Sequence, residues 1–263
     1  MLTQPVATME PKPGQDAHMK LQDKTLLITG GTSGIGKALV AELAPRNTAI
    51  VVIGRNPIKL AKLADEFSNV HTYRCSLADK MDVEKTFSEI CDNHPDISVV
   101  FNNAGIQCTP TFLDKDFSFD SIDNEITINL TAPIWICALM LGNLLGLKSP
   151  AAFVNITSGL GLFPKKNSAV YCATKAGLRN FSKSFRYQLE GTLIAVHEAV
   201  MPLVDTPMTE GRGRGKISSL DAAKAIIAGI EKDEEEIYVG KARLMPLMAR
   251  FSPALMGAIM KAS

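Results

Sequence analysis

Short uninterrupted apolar runs alternate along this chain with longer segments whose apolar positions recur every three or four residues. Thr25 to Thr29 is the first run and reads as a strand. Gly30-Gly31-Thr32-Ser33-Gly34-Ile35-Gly36 breaks it at once, and Lys37 to Ala44 then has helical spacing. Thr48 to Ile53 is a second strand, ended by Gly54-Arg55-Asn56-Pro57, where Pro57 suits the first turn of a helix reaching about Phe67. Val70 to Cys75 predicts a third strand, Asp79 to Asn93 a helix, and Ile97 to Phe101 a fourth strand closed by Asn102-Asn103-Ala104-Gly105. After a long uncharged segment come a fifth strand, Ala151 to Thr157, and a helix that carries Tyr171 and Lys175 to about Glu190. Leu193 to Val200, Leu220 to Glu231 and Ile237 to Val239 predict strand, helix and a short last strand. Such alternation predicts an α/β fold, a doubly wound parallel sheet covered by helices on both faces. No internal repeat and no domain boundary interrupts it, so 21–240 reads as one domain.

Three segments depart from this rhythm. Residues 1–20, with Pro5, Pro11, Pro13 and Gly14, read as a disordered leader without the apolar core of a signal peptide. Ile126 to Leu147 carries no charge and is long enough to raise a membrane span. Asn129, Thr131, Pro133 and Asn143, and its place inside the β/α pattern, favour a buried helix that also faces a second subunit. In 241–263 the residues Leu244, Leu247, Met248, Phe251, Leu255 and Ile259 form a stripe beside Arg243, Arg250 and Lys261. This amphipathic helical extension suits core or a dimer contact better than a membrane surface.

Composition narrows the classes. With 263 residues the chain has the size of one α/β domain, and 46% apolar against 21% charged residues is a globular balance. A net charge of +1 gives no case for nucleic acid as a partner. Five scattered cysteines without a C-x-x-C pair read as reduced thiols of a cytoplasmic protein, and no metal-ligand set is seen. The Gly211 to Lys216 stretch reads as a mobile basic loop and Asp233 to Glu236 as a solvated turn.

The chemistry gathers in two places. Gly30, Gly34 and Gly36, set between a strand and a helix, allow a tight turn and close approach of a pyrophosphate to the helix N-terminus. After the second strand stands Arg55, with no Asp or Glu, which suits a ribose 2′-phosphate better than free ribose hydroxyls and so NADP over NAD. Further on, Tyr171 and Lys175 share one helical face, with the hydroxyl of Ser158 upstream. A phenol beside an ammonium and a hydroxyl can pass a proton to or from a carbonyl or alcohol.

Together these pieces resemble the short-chain dehydrogenase/reductase family, in its single-domain branch, from about Lys24 to Val239. Thr29-Gly30-x-x-x-Gly34-x-Gly36, Asn102-Asn103-Ala104-Gly105, Asn129, Ser158 and Tyr171-x-x-x-Lys175 occur in the family's order. Ile156 to Leu160, Tyr171 to Ala176 and Val204-Asp205-Thr206 look most like bacterial oxidoreductases of the DltE-like kind. The resemblance implies a Rossmann-type sheet of strand order 3-2-1-4-5-6-7 and a homodimer or homotetramer. It implies Tyr171 as general acid or base, Ser158 orienting the substrate oxygen, Lys175 lowering the phenol pKa and binding ribose, and Asn129 holding a relay water. Cofactor contacts would come from Gly30, Thr32, Ser33, Gly34, Ile35, Gly36, Arg55, Ser76, Leu77, Asn103, Ala104 and Gly105, with Tyr171, Lys175, Val204 and Thr206.

Ser76 stands where the family has Asp, and Met201-Pro202 where it has Pro-Gly, so the backbone at the nicotinamide end must differ. Leu160, Leu162, Phe163 and Leu203 would make an apolar substrate pocket, with Gln107 as a polar contact. The segment from Pro207 to Lys216 would be the lid, its Arg212, Arg214 and Lys216 facing water rather than an acidic substrate. The function expected is an NADP-preferring oxidoreductase acting on a moderately hydrophobic carbonyl/alcohol pair. The alternative, a cofactor-binding scaffold or sensor without turnover, is weakened by the retained Tyr171 and Lys175.

Overall fold

A computed structural model describes residues 19–251 together with Gly257, Met260 and Lys261. Seven parallel strands form one sheet in the order β3-β2-β1-β4-β5-β6-β9. They are β1 (Thr25–Thr29), β2 (Ala49–Gly54), β3 (Val70–Arg74), β4 (Ile97–Asn102), β5 (Ala151–Ser158), β6 (Ile194–Met201) and β9 (Glu236–Tyr238). The order matches the one the resemblance implied. The label of the last strand shifts because a two-stranded ribbon, β7 (Val204–Asp205) with β8 (Ile217–Ser218), intervenes and escaped the sequence reading.

The apolar runs are strands because both faces of this sheet are covered. Leu26 and Ile28 of β1 pack in one layer with α1 (Gly34–Leu43), α2 (Pro57–Glu66) and α7 (Ser219–Glu231). Leu27 points into the opposite layer, with α3 (Lys80–Asn93), α5 (Ala132–Gly146) and α6 (Ala169–Gln188). Strand geometry alternates successive side chains between the two layers, so a strand buried on both faces has no polar position to alternate with.

The uncharged segment makes up most of one continuous helix, Asp120–Gly146, apolar and long enough to cross a membrane by length and composition. It is instead packed on the sheet: Ile136, Cys137, Met140 and Leu144 are fully buried there, while Leu139 and Leu145 stay exposed. Its first turns, α4 (Asp120–Ile126), pass into α5 through a π-helical stretch, Thr127–Thr131, which holds Asn129. π-helical stretches of this kind are often found at functional sites.

Four expectations need correction. Met19, assigned to the leader, is buried with Leu21 in the first layer, so the fold takes in that residue. Of the two alternatives for the C-terminal stripe, core fails and a dimer contact stays open: Leu244, Leu247 and Phe251 are exposed. A tight 3-10 turn, Gly240–Leu244, precedes α8 (Met245–Phe251). Met245 docks instead, against Gly159; Leu255 and Ile259 lie outside the described residues. The acidic run is not merely solvated, because Glu236 belongs to β9 and pairs with Arg179 at 2.9 Å, while Glu235 meets Arg186 at 3.2 Å. Lastly, the basic loop is anchored, since Lys216 Nζ bonds the Thr209 carbonyl at 2.6 Å and Asp205 at 3.3 Å.

Candidate active site

One cleft runs across the carboxyl ends of β1, β2, β4, β5 and β6, where a parallel sheet presents its loops. At one end the chain leaves β1 through Gly30, whose φ of +69° only glycine adopts without strain. A side chain at Gly36 would strike the Gly30 carbonyl at 2.3 Å and the Asn103 amide at 2.5 Å, which fixes glycine there and lets α1 start hard against β1. Ser33 precedes α1 without a side-chain cap, and the first turn holds no acidic residue. The N-terminal amides and positive dipole end of α1 are therefore left for an anion from outside.

The loop after β4 is tied to this turn. Thr29 Oγ1 accepts the backbone N–H groups of Asn103 and Ala104, each at 3.0 Å. The Asn103 side chain donates to the Thr29 carbonyl at 2.9 Å. Underneath, Asn102 Nδ2 donates to Asn155 Oδ1 at 2.9 Å, and Asn155 Nδ2 to Ser182 Oγ at 2.8 Å, a buried ladder that joins β4, β5 and α6. No local pattern in the sequence announces it, because its members lie 53 and 27 residues apart.

At the other end Ser158, Tyr171 and Lys175 line the cleft together. Ser158 closes β5 and its hydroxyl accepts the Leu160 N–H at 3.1 Å. Helical spacing brings Tyr171 and Lys175 together, with the ammonium 5.7 Å from the phenol ring centre. Lys175 Nζ donates to the Ile156 carbonyl at 2.8 Å, and burial lowers its pKa to about 8. Burial also pushes the Tyr171 phenol up, to about 12, with the neighbouring Ser158 hydroxyl as the main opposing influence. The expected lowering by Lys175 is absent in this structure. The ammonium lies against the ring face, bonded to a backbone carbonyl, and is itself destabilised as a charge.

The other expected residues divide. Gly30, Thr32, Ser33, Gly34, Ile35, Arg55, Leu77, Asn103, Ala104, Gly105, Val204 and Thr206 all line the cleft. Thr206 sits over the turn, since a side chain at Gly34 would meet it at 3.0 Å. Gly36 and Asn129 stand behind the wall rather than on it. Asn129 is fully buried and clamps the Ile106 backbone, accepting its N–H and donating to its carbonyl, both at 2.8 Å. Ser76 is not among the residues lining the cleft, although Cys75 and Leu77 on either side of it are, and its N–H donates to Asp82 at 2.7 Å.

The expected apolar pocket is also redistributed. Leu160, Leu162, Phe163 and Leu203 do not line the cleft; Ile106, Ile128, Met201 and Met208 do. Leu160 lies in a 3-10 turn, Gly159–Gly161, pressed against α6, where a side chain at Gly161 would meet the Lys175 backbone at 2.9 Å. Leu203 is taken up by the lid and lies 2.3 Å from where a side chain of Gly213 would begin. Met201-Pro202, in place of the family's Pro-Gly, forms part of the cleft wall. The chain then turns into β7, where Ile217 N–H bonds the Leu203 carbonyl at 3.2 Å.

Two buried acids were not anticipated. Glu198 in β6 accepts from Thr157 at 2.6 Å and pairs with Arg179 of α6 at 2.8 Å. A charge inside the apolar run of β6 was the available signal. Glu125 accepts the Cys108 N–H at 3.0 Å, and its burial raises its carboxyl pKa.

Comparison with known proteins gives the family. The short chain dehydrogenase family model matches residues 24–216. An uncharacterized oxidoreductase, DltE, from Bacillus subtilis is 35% identical over 227 residues, 83% of this chain and 89% of that protein. Sulfoacetaldehyde reductase 2 of Chromohalobacter salexigens is 28% identical, covering 75% and 79% of the two chains. Among solved structures, a short chain dehydrogenase from Burkholderia cenocepacia in complex with NADP superposes with a TM-score of 0.82 at 20% identity, over 92% of this chain and 99% of that one. The glycine turn, the loop after β4 and the Ser158, Tyr171 and Lys175 group therefore stand on the fold, in the order and with the match that make this chain a member of the short-chain dehydrogenase family of oxidoreductases.

Proposed function

We propose that the chain is an NADP-preferring oxidoreductase that interconverts a carbonyl compound and its alcohol, with Tyr171 as general acid and base. The observation that carries this reading is the continuity of the cleft, with an anion-ready helix start at one end and Ser158, Tyr171 and Lys175 at the other. The glycine cradle fits a dinucleotide: at Gly30, Gly34 and Gly36 a side chain would meet Ala104, Thr206 or the Gly30 carbonyl within 3.0 Å and fill the turn. When bound, the nicotinamide supplies or accepts the hydride.

The residues of the chain do the rest. Ser33 to Ile35, at the start of α1, would hold the pyrophosphate, and Arg55 on the cleft wall a 2′-phosphate. Lys175 would bond the ribose hydroxyls, and Val204 and Thr206 would contact the nicotinamide end. The substrate oxygen would accept from Ser158 and Tyr171. A phenol held near 12 is protonated at neutral pH, so Tyr171 is set to donate its proton to a carbonyl oxygen as that oxygen gains charge. The expected relay through Asn129 would run beside the π-helical stretch, since its carboxamide is already engaged with Ile106. The cleft wall formed by Ile106, Ile128, Met201 and Met208 suits a moderately hydrophobic substrate.

Relatives support carbonyl chemistry and differ in everything else about the substrate. One is named for sulfoacetaldehyde reduction, and another, 29% identical, is a 3-oxoacyl-[acyl-carrier-protein] reductase of Aquifex aeolicus. The scattered free thiols suit a cytoplasmic setting.

Tyr171→Phe tests the proposal. It should lower carbonyl reduction by about 10²–10⁴-fold while NADPH binding stays within about twofold. Turnover at the original rate in that variant would remove Tyr171 from proton transfer.

A further inference from the structure

Three basic residues lie in the lid after β7, and the structure treats them differently. Lys216 is paired with Asp205 and bonded to the Thr209 carbonyl. Arg214 is exposed. Arg212 is half-buried; it does not line the cleft itself but bonds residues at its edge. Its Nη1 donates to Gln107 Oε1 at 2.9 Å, and its Nη2 to the carbonyl of Met208, a cleft-lining residue. Gln107 is fixed in turn, its Nε2 donating to Ser168 Oγ at 2.8 Å, three residues before Tyr171.

The backbone is built for this inward turn. Gly211, Gly213 and Gly215 all have positive φ, at 69°, 66° and 69°, a conformation glycine adopts without strain, so the loop can coil tightly. Leu203 fills the space beside Gly213, which holds the coil against the body of the protein.

Both acceptors of Arg212 are neutral. No carboxylate of the described residues lies within 4.0 Å of its guanidinium, although the same lid supplies one to Lys216. Its charge is hydrogen-bonded but not neutralised. Its guanidinium fork is held on neutral acceptors, so its charge is free to pair with an incoming anion. The charge reaches the reacting group, since Arg212 acts to lower the Tyr171 pKa. The acid whose charge also reaches Tyr171 is Glu125, which accepts from Cys108 and not from Arg212, and whose burial favours its neutral form.

We propose that Arg212 is the substrate-binding residue for an oxyanion, so that the substrates are small carbonyl compounds carrying a carboxylate or sulfonate near the reacting carbon. The Gln107 amide oxygen holds the guanidinium fork in place until one oxygen of that group takes over the position. A planar fork receives such a group through two parallel bonds, which also orients the carbonyl toward Tyr171. The inference rests on the oxidoreductase reading above and replaces the expectation that the lid cations face water.

Two measurements test it. The first compares NADPH-dependent reduction of 4-oxobutanoate and of butanal, which differ by the carboxylate. The wild type should favour 4-oxobutanoate in kcat/KM by about 100-fold, and Arg212→Ala should erase that ratio. Arg212→Lys should restore it only in part, because a point charge lacks the fork. The exposed neighbour Arg214→Ala should leave the ratio unchanged. A wild-type preference for butanal, or an unchanged ratio in Arg212→Ala, would overturn the proposal.

The second measurement needs no turnover. Calorimetric titration of succinate and of propanesulfonate into the NADPH-saturated protein should give saturable binding that Arg212→Ala abolishes. Absence of binding to the wild type, or binding unaffected by Arg212→Ala, counts against the oxyanion site whatever the kinetics show. Oxyanion binding without reduction of either aldehyde would support this site and count against the oxidoreductase reading.

Discussion

Lys175 is fully enclosed and makes one hydrogen bond, to the Ile156 carbonyl, and its pKa falls from 10.5 to about 8 because burial disfavours the ammonium. A lowering of that size corresponds to about 3 kcal/mol of destabilisation at neutral pH. Between about 8 and 10.5 the unfolded chain holds this proton and the folded chain does not, so stability rises with pH across that window. Lys175→Met should accordingly be more stable than the wild type at pH 7, by up to about 3 kcal/mol less the cost of the orphaned carbonyl. That advantage should shrink by pH 9.5. Urea unfolding of both proteins at the two pH values measures it, and a gap that does not move with pH would refute the buried-charge account.

Arg55 was read from its place after the second strand, and it lines the cleft. Residues whose role comes from local sequence, such as the glycines of the β1–α1 turn or Tyr171 and Lys175 one helical turn apart, are legible in this way. Arg212 was not, because its partner Gln107 lies 105 positions away and nothing local marks the pair.

At the scale of elements, α6 is fastened to the sheet by charge as well as by packing. Arg179 reaches Glu198 in β6 and Glu236 in β9, and Glu198 also accepts from Thr157, next to Ser158. The network holds the helix that carries Tyr171 and Lys175 at a fixed height over β5. Glu198 is 2% exposed, so removing its partner strands a buried acid. Arg179→Met should cost about 3–5 kcal/mol in urea unfolding. Adding Glu198→Gln should recover part of that loss, and additive losses would show that the two side chains are not coupled.

The β1–α1 junction gives a second test. Gly36→Ala places a methyl 2.3 Å from the Gly30 carbonyl and should cost about 2–3 kcal/mol and weaken dinucleotide binding. An unchanged melting temperature would contradict the close packing described for that turn. The strands were legible to within a residue or two because each apolar run carries its own signal, whereas the long helix begins at Asp120, six residues before its uncharged part, where Asp120, Asp123 and Glu125 hide the period. The β7–β8 ribbon and the 3-10 turn before α8 were not legible, since two paired residues or five turn residues are too few to set a period.

For the whole molecule, strand order decides where chemistry sits. Between β1 and β4 the connections leave in opposite directions, and the cleft opens at that point, outside the carboxyl ends of the strands. The α/β alternation made this architecture readable, whereas the distribution of apolar surface required the fold. Ile126, Leu139 and Leu145 are exposed along the Asp120–Gly146 helix, and Leu244, Leu247 and Phe251 at the C-terminal segment. We propose that the helix face is covered by a second copy of the chain, in a homodimer or homotetramer. Light scattering should return twice or four times 28.4 kDa, and a monomer at micromolar concentration would contradict it.

The claim on which the rest depends is that the cleft is an NADP site. Fluorescence titration of the purified protein with NADPH and with NADH, repeated on Arg55→Ala, tests it most directly. The account predicts saturable binding of both, tighter for NADPH, with Arg55→Ala weakening NADPH by ~10–100-fold and NADH hardly at all. Equal losses for the two cofactors would contradict the role of Arg55, and binding of neither to the wild type would contradict the site itself.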